Sequence, residues 1–227
     1  MDYCANNMFT IVSGMTGTGK TEIIQALPTG LDLEGAANHK GSSFGRPLDE
    51  QPAQINFENR IAIDLLKIED QHPQSMVVLE DESRNIGARH IPHYFADRMA
   101  TSQIVVIEMD FEERLERLWQ EYVVERYLKT MAYFGANGEQ AFANYLRESL
   151  LRVQKRLGGQ RTKELIASMD NALAIQHQDN FASHRHWLSL ITKDYYDPMY
   201  NYQLDKKKEL VVFRGSREAV IEWLKRG

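Results

Sequence analysis

Hydrophobic positions along the first hundred residues come in short solid runs separated by helically spaced stretches. Phe9-Thr10-Ile11-Val12 reads as a buried strand, and Glu22-Ile23-Ile24-Gln25-Ala26-Leu27 as an amphipathic helix. Pro28-Thr29-Gly30 breaks that pattern, and Leu31-Asp32-Leu33-Glu34 is expected to form a short buried strand. Gly35 to Gly45 is rich in small and polar residues and is expected to be a loop. Phe57, Ile61, Leu65 and Ile68 recur at helical spacing. Met76-Val77-Val78-Leu79 and Ile104-Val105-Val106-Ile107 are further buried-strand signatures, ending in Glu80-Asp81-Glu82 and Glu108-Met109-Asp110. Asp110 with Glu113 makes an N-cap pair for the helix that follows. Strands alternating with helices predict an α/β fold with a parallel sheet covered on both faces.

From Phe111 to about Lys193 the strand signal disappears. Leu115, Leu118 and Tyr122, then Leu146, Leu150, Val153 and Leu157, keep helical spacing, with breaks at Gly135 to Gly138 and at Gly158-Gly159. Leu210 to Phe213 returns as a late strand, and Ser216 to Lys225 as a closing helix. The expectation is one domain over 1–227 in which 111–193 is a helical insertion.

Composition changes this picture little. The chain has 227 residues, 43% of them hydrophobic and 26% charged, which suits an ordinary globular domain. A net charge of -5 excludes a uniformly basic surface but leaves room for a local patch. The one cysteine, Cys4, excludes a disulfide framework and points to a reducing, cytoplasmic setting. No apolar run has the length of a membrane span, so no membrane partner is expected.

Candidate chemistry centres on Gly14-Met15-Thr16-Gly17-Thr18-Gly19-Lys20-Thr21, a complete P-loop (Walker A) octet between a strand and a helix. Its glycines let successive N–H groups of Gly14, Thr16, Gly17, Thr18 and Gly19 face one anion. Lys20 would reach terminal phosphates, and the Thr21 hydroxyl would sit on Mg2+. The fold class is therefore P-loop NTPase-like. Asp81 is the first candidate for the strand-end carboxylate that serves the magnesium ion, with Glu80 second and Asp110 as rival. Asp32 and Glu34 end another expected strand and point toward the same crevice.

Arg84 and Arg89 follow the acidic cluster and are candidates to clamp a diphosphate; Arg84 is equally placed to pair with Glu80 or Glu82. His39 and Lys40, followed by Ser42 and Ser43, put a cation and hydroxyls in the small-residue loop. Arg147, Arg152, Lys155, Arg156, Arg161 and Lys163 concentrate positive charge, suiting an RNA backbone, a phosphate-sensing lid or simply a solvated helix face. The tyrosines of Tyr195-Tyr196-Asp197-Pro198-Met199-Tyr200-Asn201-Tyr202 can stack on a base, line an apolar pocket or tie the helical part to the last strand. His184 and His186 do not make a metal site.

Several longer blocks go further. Asp32 to Gly45, Gln51-Pro52-Ala53-Gln54 with Phe57-Glu58-Asn59, Glu80 to Arg84 with Ile86-Gly87, Lys155 to Gly159 and Tyr195 to Tyr200 together resemble the tRNA 2-selenouridine synthase family, in family order along nearly the whole chain. The resemblance implies a transferase acting on the wobble uridine of tRNA. Its P-loop part moves a geranyl group from geranyl diphosphate to 2-thiouridine, and selenophosphate then displaces the geranylated sulfur. It implies catalytic roles for Lys20, Arg84 and Asp81, magnesium at Thr21 and Asp81, and substrate contacts from His39, Ser42, Ser43, Arg89, Arg156 and Tyr196. The tyrosine segment or the Phe44 loop would take the apolar tail. The family's rhodanese-like domain, which carries a cysteine, is not recognisable here, and Cys4 does not lie in a rhodanese loop. The rhodanese-like part is expected either as a separate partner protein or as the remainder of a longer protein of which this chain is a fragment. Two other readings of the P-loop stay open: a small-molecule kinase using ATP, and a non-catalytic tRNA-binding subunit gated by ATP or GTP.

Overall fold

The computed structural model describes residues 8–226; Cys4 lies outside them. In chain order the strands are β1 (Phe9–Gly14), β2 (Gly30–Leu31), β3 (Val77–Glu80), β4 (Asn85–Ile86), β5 (Arg89–His90), β6 (Gln103–Ile107) and β7 (Val211–Gly215). The α-helices are α1 (Lys20–Ala26), α2 (Leu33–Ala37), α3 (Gln54–Gln71), α4 (His93–Ala100), α5 (Phe111–Trp119), α6 (Arg126–Phe134), α7 (Gly138–Leu157), α8 (Gly159–Ile175), α9 (His184–Ile191), α10 (Asp197–Asp205) and α11 (Arg217–Leu224). Two compact units result. The first takes in the chain up to Gly41, Gly45–Met109 and everything from Gln203; the second comprises Ser42–Phe44 and Asp110–Tyr202.

The first unit is built on a five-stranded sheet of order β2-β3-β1-β6-β7. Every neighbouring pair in it is parallel. All six residues of β1 are buried, because helices cover both faces, and that is why these strands read as solid apolar runs. Alternate residues go to opposite faces. Phe9 and Ile11, with Val77, Leu79, Ile104 and Val106, pack on Phe57, Ile61, Leu65 and Ile68 of α3 and on Phe95 and Met99 of α4. Val12, Val78, Val105 and Ile107 pack on Ile23 and Ile24 of α1 and on Val220 and Leu224 of α11. Ser216 caps α11 through its hydroxyl, which accepts from the Ala219 N–H at 3.3 Å. The register aligns Val12 with Glu80 and Gly14 with Ile107, so the phosphate loop leaves the sheet beside the carboxyl end of β3.

Two local expectations need correction. Leu31 to Glu34 is not a strand: pairing ends at Leu31, and Asp32 turns the chain by N-capping α2, its carboxylate accepting from the Gly35 N–H at 2.6 Å. Gly35 to Ala37 are accordingly helical rather than loop, and α2 stops at Asn38 in a left-handed conformation. Asp110 does occupy the N-cap of α5, but its side chain makes no capping hydrogen bond, so the pair with Glu113 is not formed.

The second unit consists, over Asp110–Tyr202, of helices joined by short breaks and a turn at 176–183, and packs around aromatic rings. Phe44, 2% exposed, stacks on Tyr122 and Trp187 with centroids 5.7 and 5.6 Å away and meets the edge of Tyr145. Two π-helical turns interrupt the α-helices, at Gln120–Glu125 and Thr192–Tyr196. An inserted residue in a helix re-aims its neighbours, and these turns carry Tyr122 and Tyr196, both buried against the Ser42–Phe44 tip. Arg114 and Asp197 form a bidentate pair at 2.9 and 2.8 Å within the same unit.

Candidate phosphate-binding site

The loop after β1 takes the conformation its glycines permit. Gly17 and Gly19 adopt φ of 84° and 76°, left-handed values that a side chain would strain. Gly14 allows close approach instead: a Cβ there would lie 2.9 Å from Thr18 Oγ1 and 3.0 Å from the Ile107 carbonyl oxygen. Thr18 closes the turn by donating its hydroxyl to the Met15 carbonyl at 2.9 Å. Lys20 folds over the loop, its Nζ donating to the carbonyls of Gly14 and Met15 at 3.0 and 3.3 Å.

Carboxylates surround this lysine. Burial pushes the Lys20 ammonium pKa down, while Glu34, Glu82, Asp81 and Glu80 oppose that shift. Glu34, on α2, accepts from the Thr21 hydroxyl at 3.1 Å and from the Gly41 N–H. Burial, then the neighbouring Glu34 charge, raises the Glu82 carboxyl to about 8, against the pull of Lys20. Glu80 is 1% exposed, and burial, reinforced by Asp32 and Glu34, holds its carboxyl well above the usual range. It accepts from the Leu33 N–H at 3.1 Å, while its other oxygen is buried without a partner. Glu80 thus fastens α2 to β3, in surroundings that disfavour its charged form and make it a poorer metal carboxylate than its neighbour. Asp81 is the better-placed group: Ser13 Oγ donates to one oxygen at 2.8 Å and Lys207 Nζ to the other at 2.6 Å.

The remaining expected residues are placed as follows. Asp32 spends its carboxylate on capping α2 and on Gln25, at 2.7 Å, rather than on the crevice. Arg84 pairs with Asp97 at 3.1 Å, both side chains exposed, and not with Glu80 or Glu82. Arg89, on β5, buries its Nε without a partner. His39 packs against Gly87: a Cβ at position 87 would lie 2.7 Å from the His39 ring. Gln51 and Gln54 explain their place in the sequence pattern. Gln51 Nε2 donates to the Ala37 and Ile86 carbonyls and its Oε1 accepts from the Ala88 N–H; Gln54 exchanges two hydrogen bonds with His90.

Ser42, Ser43, Tyr196 and Arg156 belong to the second unit, as does Asp110. The Tyr196 hydroxyl meets Ser43 Oγ at 2.6 Å, Tyr145 donates to the Phe44 carbonyl, and Arg152 donates to the Ser43 carbonyl at 2.9 Å. Burial raises the Tyr196 phenol to about 12, so it stays neutral and serves as a hydrogen-bonding group. Tyr196, 2% exposed, is core, which leaves it no face for a base to stack on. Arg156 is exposed, with Nη1 3.8 Å from Met199 Sδ. The basic stretch is largely matched by acids: Arg147 pairs with Asp170 at 2.8 Å, and Arg161 with Glu164 at 2.8 Å and with Asp194.

Sequence reasoning missed Lys207, Ser13 and the role of Glu34. Lys207 hides in a Lys206-Lys207-Lys208 run that looks like solvated surface. Only the return of the chain to the first unit, ahead of β7, brings it to Asp81.

Among the described residues no three His, Cys, Asp or Glu side chains are grouped to hold a metal by themselves. Thr21, Asp81 and the nearby carboxylates are hard oxygen donors in small number. That fits Mg2+, which keeps several waters and takes other ligands from substrate phosphates.

A parallel sheet with a glycine-rich loop leaving its central strand, a lysine and threonine opening the next helix, and an aspartate ending the adjacent strand define a P-loop α/β domain. The particular family follows from comparison. Residues 7–227 match the model of the tRNA 2-selenouridine synthase AAA domain, and the chain belongs to that family. It is 47% identical over 219 residues to the tRNA 2-selenouridine synthase of Shewanella frigidimarina (strain NCIMB 400), covering 94% of this chain and 59% of the relative. It is 45% identical over 223 residues to the tRNA 2-selenouridine synthase of Salmonella enteritidis PT4 (strain P125109), covering 97% and 61%. The chain thus spans about 60% of the length of these relatives. No solved structure matches. No helix among the described residues is long and apolar enough to cross a membrane.

Proposed function

We propose that this chain is the P-loop part of a tRNA 2-selenouridine synthase, and that it transfers a geranyl group from geranyl diphosphate to the sulfur of wobble 2-thiouridine in tRNA. The observation that carries the reading is the phosphate loop with Asp81 at the end of the neighbouring strand, in a chain of this family. In the transfer, sulfur attacks the first carbon of the geranyl chain, the carbon–oxygen bond to diphosphate breaks, and the thiouridine ring releases its N3 proton to solvent. The departing pyrophosphate carries the developing charge, so preorganised donors act on it rather than on the sulfur. The N–H groups of the loop and Lys20 bind that charge; Thr21 and Asp81 would hold Mg2+, which would supply further electrostatic stabilisation of the leaving group.

A softly nucleophilic sulfur needs no strong protein base. Selenium substitution from selenophosphate, a rhodanese-like partner and a cytoplasmic location belong to the same reading, as properties of the complete enzyme.

The test is to incubate the chain with 2-thiouridine-containing tRNA, geranyl diphosphate and Mg2+, digest the RNA and search for S-geranylated nucleoside by mass spectrometry. The product is expected, and Lys20→Ala should reduce its formation by about 100-fold or more. Full transfer by the Lys20→Ala protein would defeat the mechanism. Tight tRNA binding without product would favour a presenting subunit, and phosphate transfer from ATP to a small acceptor would favour a kinase.

A further inference from the structure

Asp81 is the carboxylate assigned to the metal, yet both its oxygens are engaged. Ser13 Oγ holds Oδ2 at 2.8 Å and Lys207 Nζ holds Oδ1 at 2.6 Å. These two partners differ in kind. Ser13 is 4% exposed, fixed on β1 at the root of the loop. Lys207 has a third of its side chain exposed and carries a full charge on a flexible stem. A divalent cation on Asp81 repels the ammonium and competes for the same oxygen, whereas the neutral hydroxyl can stay.

The displaced ammonium cannot go far. Leu204 is buried in the core of the first unit, the Lys207 N–H donates to the Leu204 carbonyl, and the Leu210 N–H donates to the Lys207 carbonyl, both at 2.9 Å. The backbone is held on each side, so only the side chain is free to turn. Asp81 itself borders the loop, being held by Ser13 at its root and acting electrostatically on Lys20, so a cation resting on Asp81 starts beside the anion that the loop would hold.

We propose that Lys207 is a second phosphate-binding cation of this site, resting on Asp81 until a divalent cation takes that carboxylate and then turning onto the bound diphosphate. The proposal rests on the phosphate-loop reading above, and it extends that reading by one residue and one order of events. Metal and Lys207 exchange places on Asp81, and the metal and the diphosphate thereby bind cooperatively.

The full chain, its K207M variant and its K207R variant test this with Mn2+ and inorganic pyrophosphate as probes, after circular dichroism has confirmed folding. With Mn2+ alone, followed by electron paramagnetic resonance, K207M should bind about fivefold more tightly than the unmodified chain, because a competitor for Asp81 is gone. With saturating Mg2+, followed by calorimetry, K207M should bind pyrophosphate roughly tenfold more weakly, and K207R should recover most of the loss. Without any divalent ion, K207M should bind pyrophosphate as the unmodified chain does. A merely structural lysine would weaken both ligands together, and that result overturns the proposal, as does unaltered pyrophosphate affinity in Mg2+. If K207M does not fold, K207Q carries the same measurements. Failure of the unmodified chain to bind pyrophosphate with Mg2+ would instead overturn the phosphate-loop reading, and this proposal with it.

Discussion

His184 makes the helical unit acid-sensitive in a way that can be worked out from its contacts. The ring is fully buried. Trp187 Nε1–H donates to its Nδ1 at 2.9 Å, so the ring's own proton sits on Nε2, where it meets Gln176 Oε1 at 3.2 Å. Gln176 is held in that orientation because its amide nitrogen donates to Glu139 at 3.0 Å. The neutral ring is therefore satisfied at both nitrogens. A second proton would set an N–H against the indole N–H of Trp187. Burial lowers the His184 pKa from 6.5 to about 4, with the Asp179 charge opposing.

A group whose folded-state pKa is depressed loses stability as pH falls below its unfolded value. Here the loss begins near pH 6.5 and levels off below about 4. The full shift corresponds to about 3 kcal/mol, of which about 2 kcal/mol is gone at pH 5. Urea unfolding of the unmodified chain and of His184→Gln, followed by tryptophan fluorescence between pH 8 and 5, isolates this residue. His184→Gln should cost stability at pH 8 but show a shallower pH dependence, the gap between the two proteins narrowing by about 2 kcal/mol by pH 5. Parallel curves, or an imidazole that titrates near 6.5 by NMR in the folded protein, would refute the reasoning.

Further predictions concern other buried groups. Glu80→Gln keeps an acceptor for the Leu33 N–H and removes a carboxyl whose raised pKa makes it destabilising as pH rises above its unfolded value; the variant should melt higher than the unmodified chain at pH 8, and a lower melting temperature there would count against a neutral Glu80. Phe44→Ala empties the stack against Tyr122, Tyr145 and Trp187 and should destabilise the helical unit by about 3–5 kcal/mol in denaturant titration, a loss below 1 kcal/mol arguing that the tip is not part of that core.

How much of this could be read in the sequence follows from the range of each interaction. The sheet was legible because strands covered on both faces are apolar without interruption, and the loop because phosphate cradling constrains consecutive residues. α2 was misread because one side chain, that of Asp32, decides between strand and helix by capping, and a four-residue apolar-polar alternation carries no such information. The β4–β5 hairpin was missed because strands of two residues have no periodicity to detect. Tyr196 and Ser43 were legible as distinctive residues but not as a hydrogen-bonded pair separated by 153 positions. The basic stretch misled for a related reason: Arg147 and Arg161 find acids on other helical segments, 23 and 33 positions away, and pairing of that kind is invisible in a count of charges.

The same argument explains why the acidic side of the phosphate site was only half foreseen. A row of three acids after a strand looks uniform in sequence, but Glu80, Asp81 and Glu82 experience three environments. Glu80 points inward, where burial disfavours its charged form. Glu82 shares its surroundings with Glu34 and is raised to about 8. Asp81 is held by a hydroxyl on one oxygen and an ammonium on the other. Alternation along an extended chain sends neighbours to opposite sides, so adjacent acids are seldom equivalent. Of the three, Asp81 is the one paired with a side chain on a flexible stem, Lys207. A metal-binding carboxylate at the end of a strand is thus selected less by its type than by what its neighbours do to its proton.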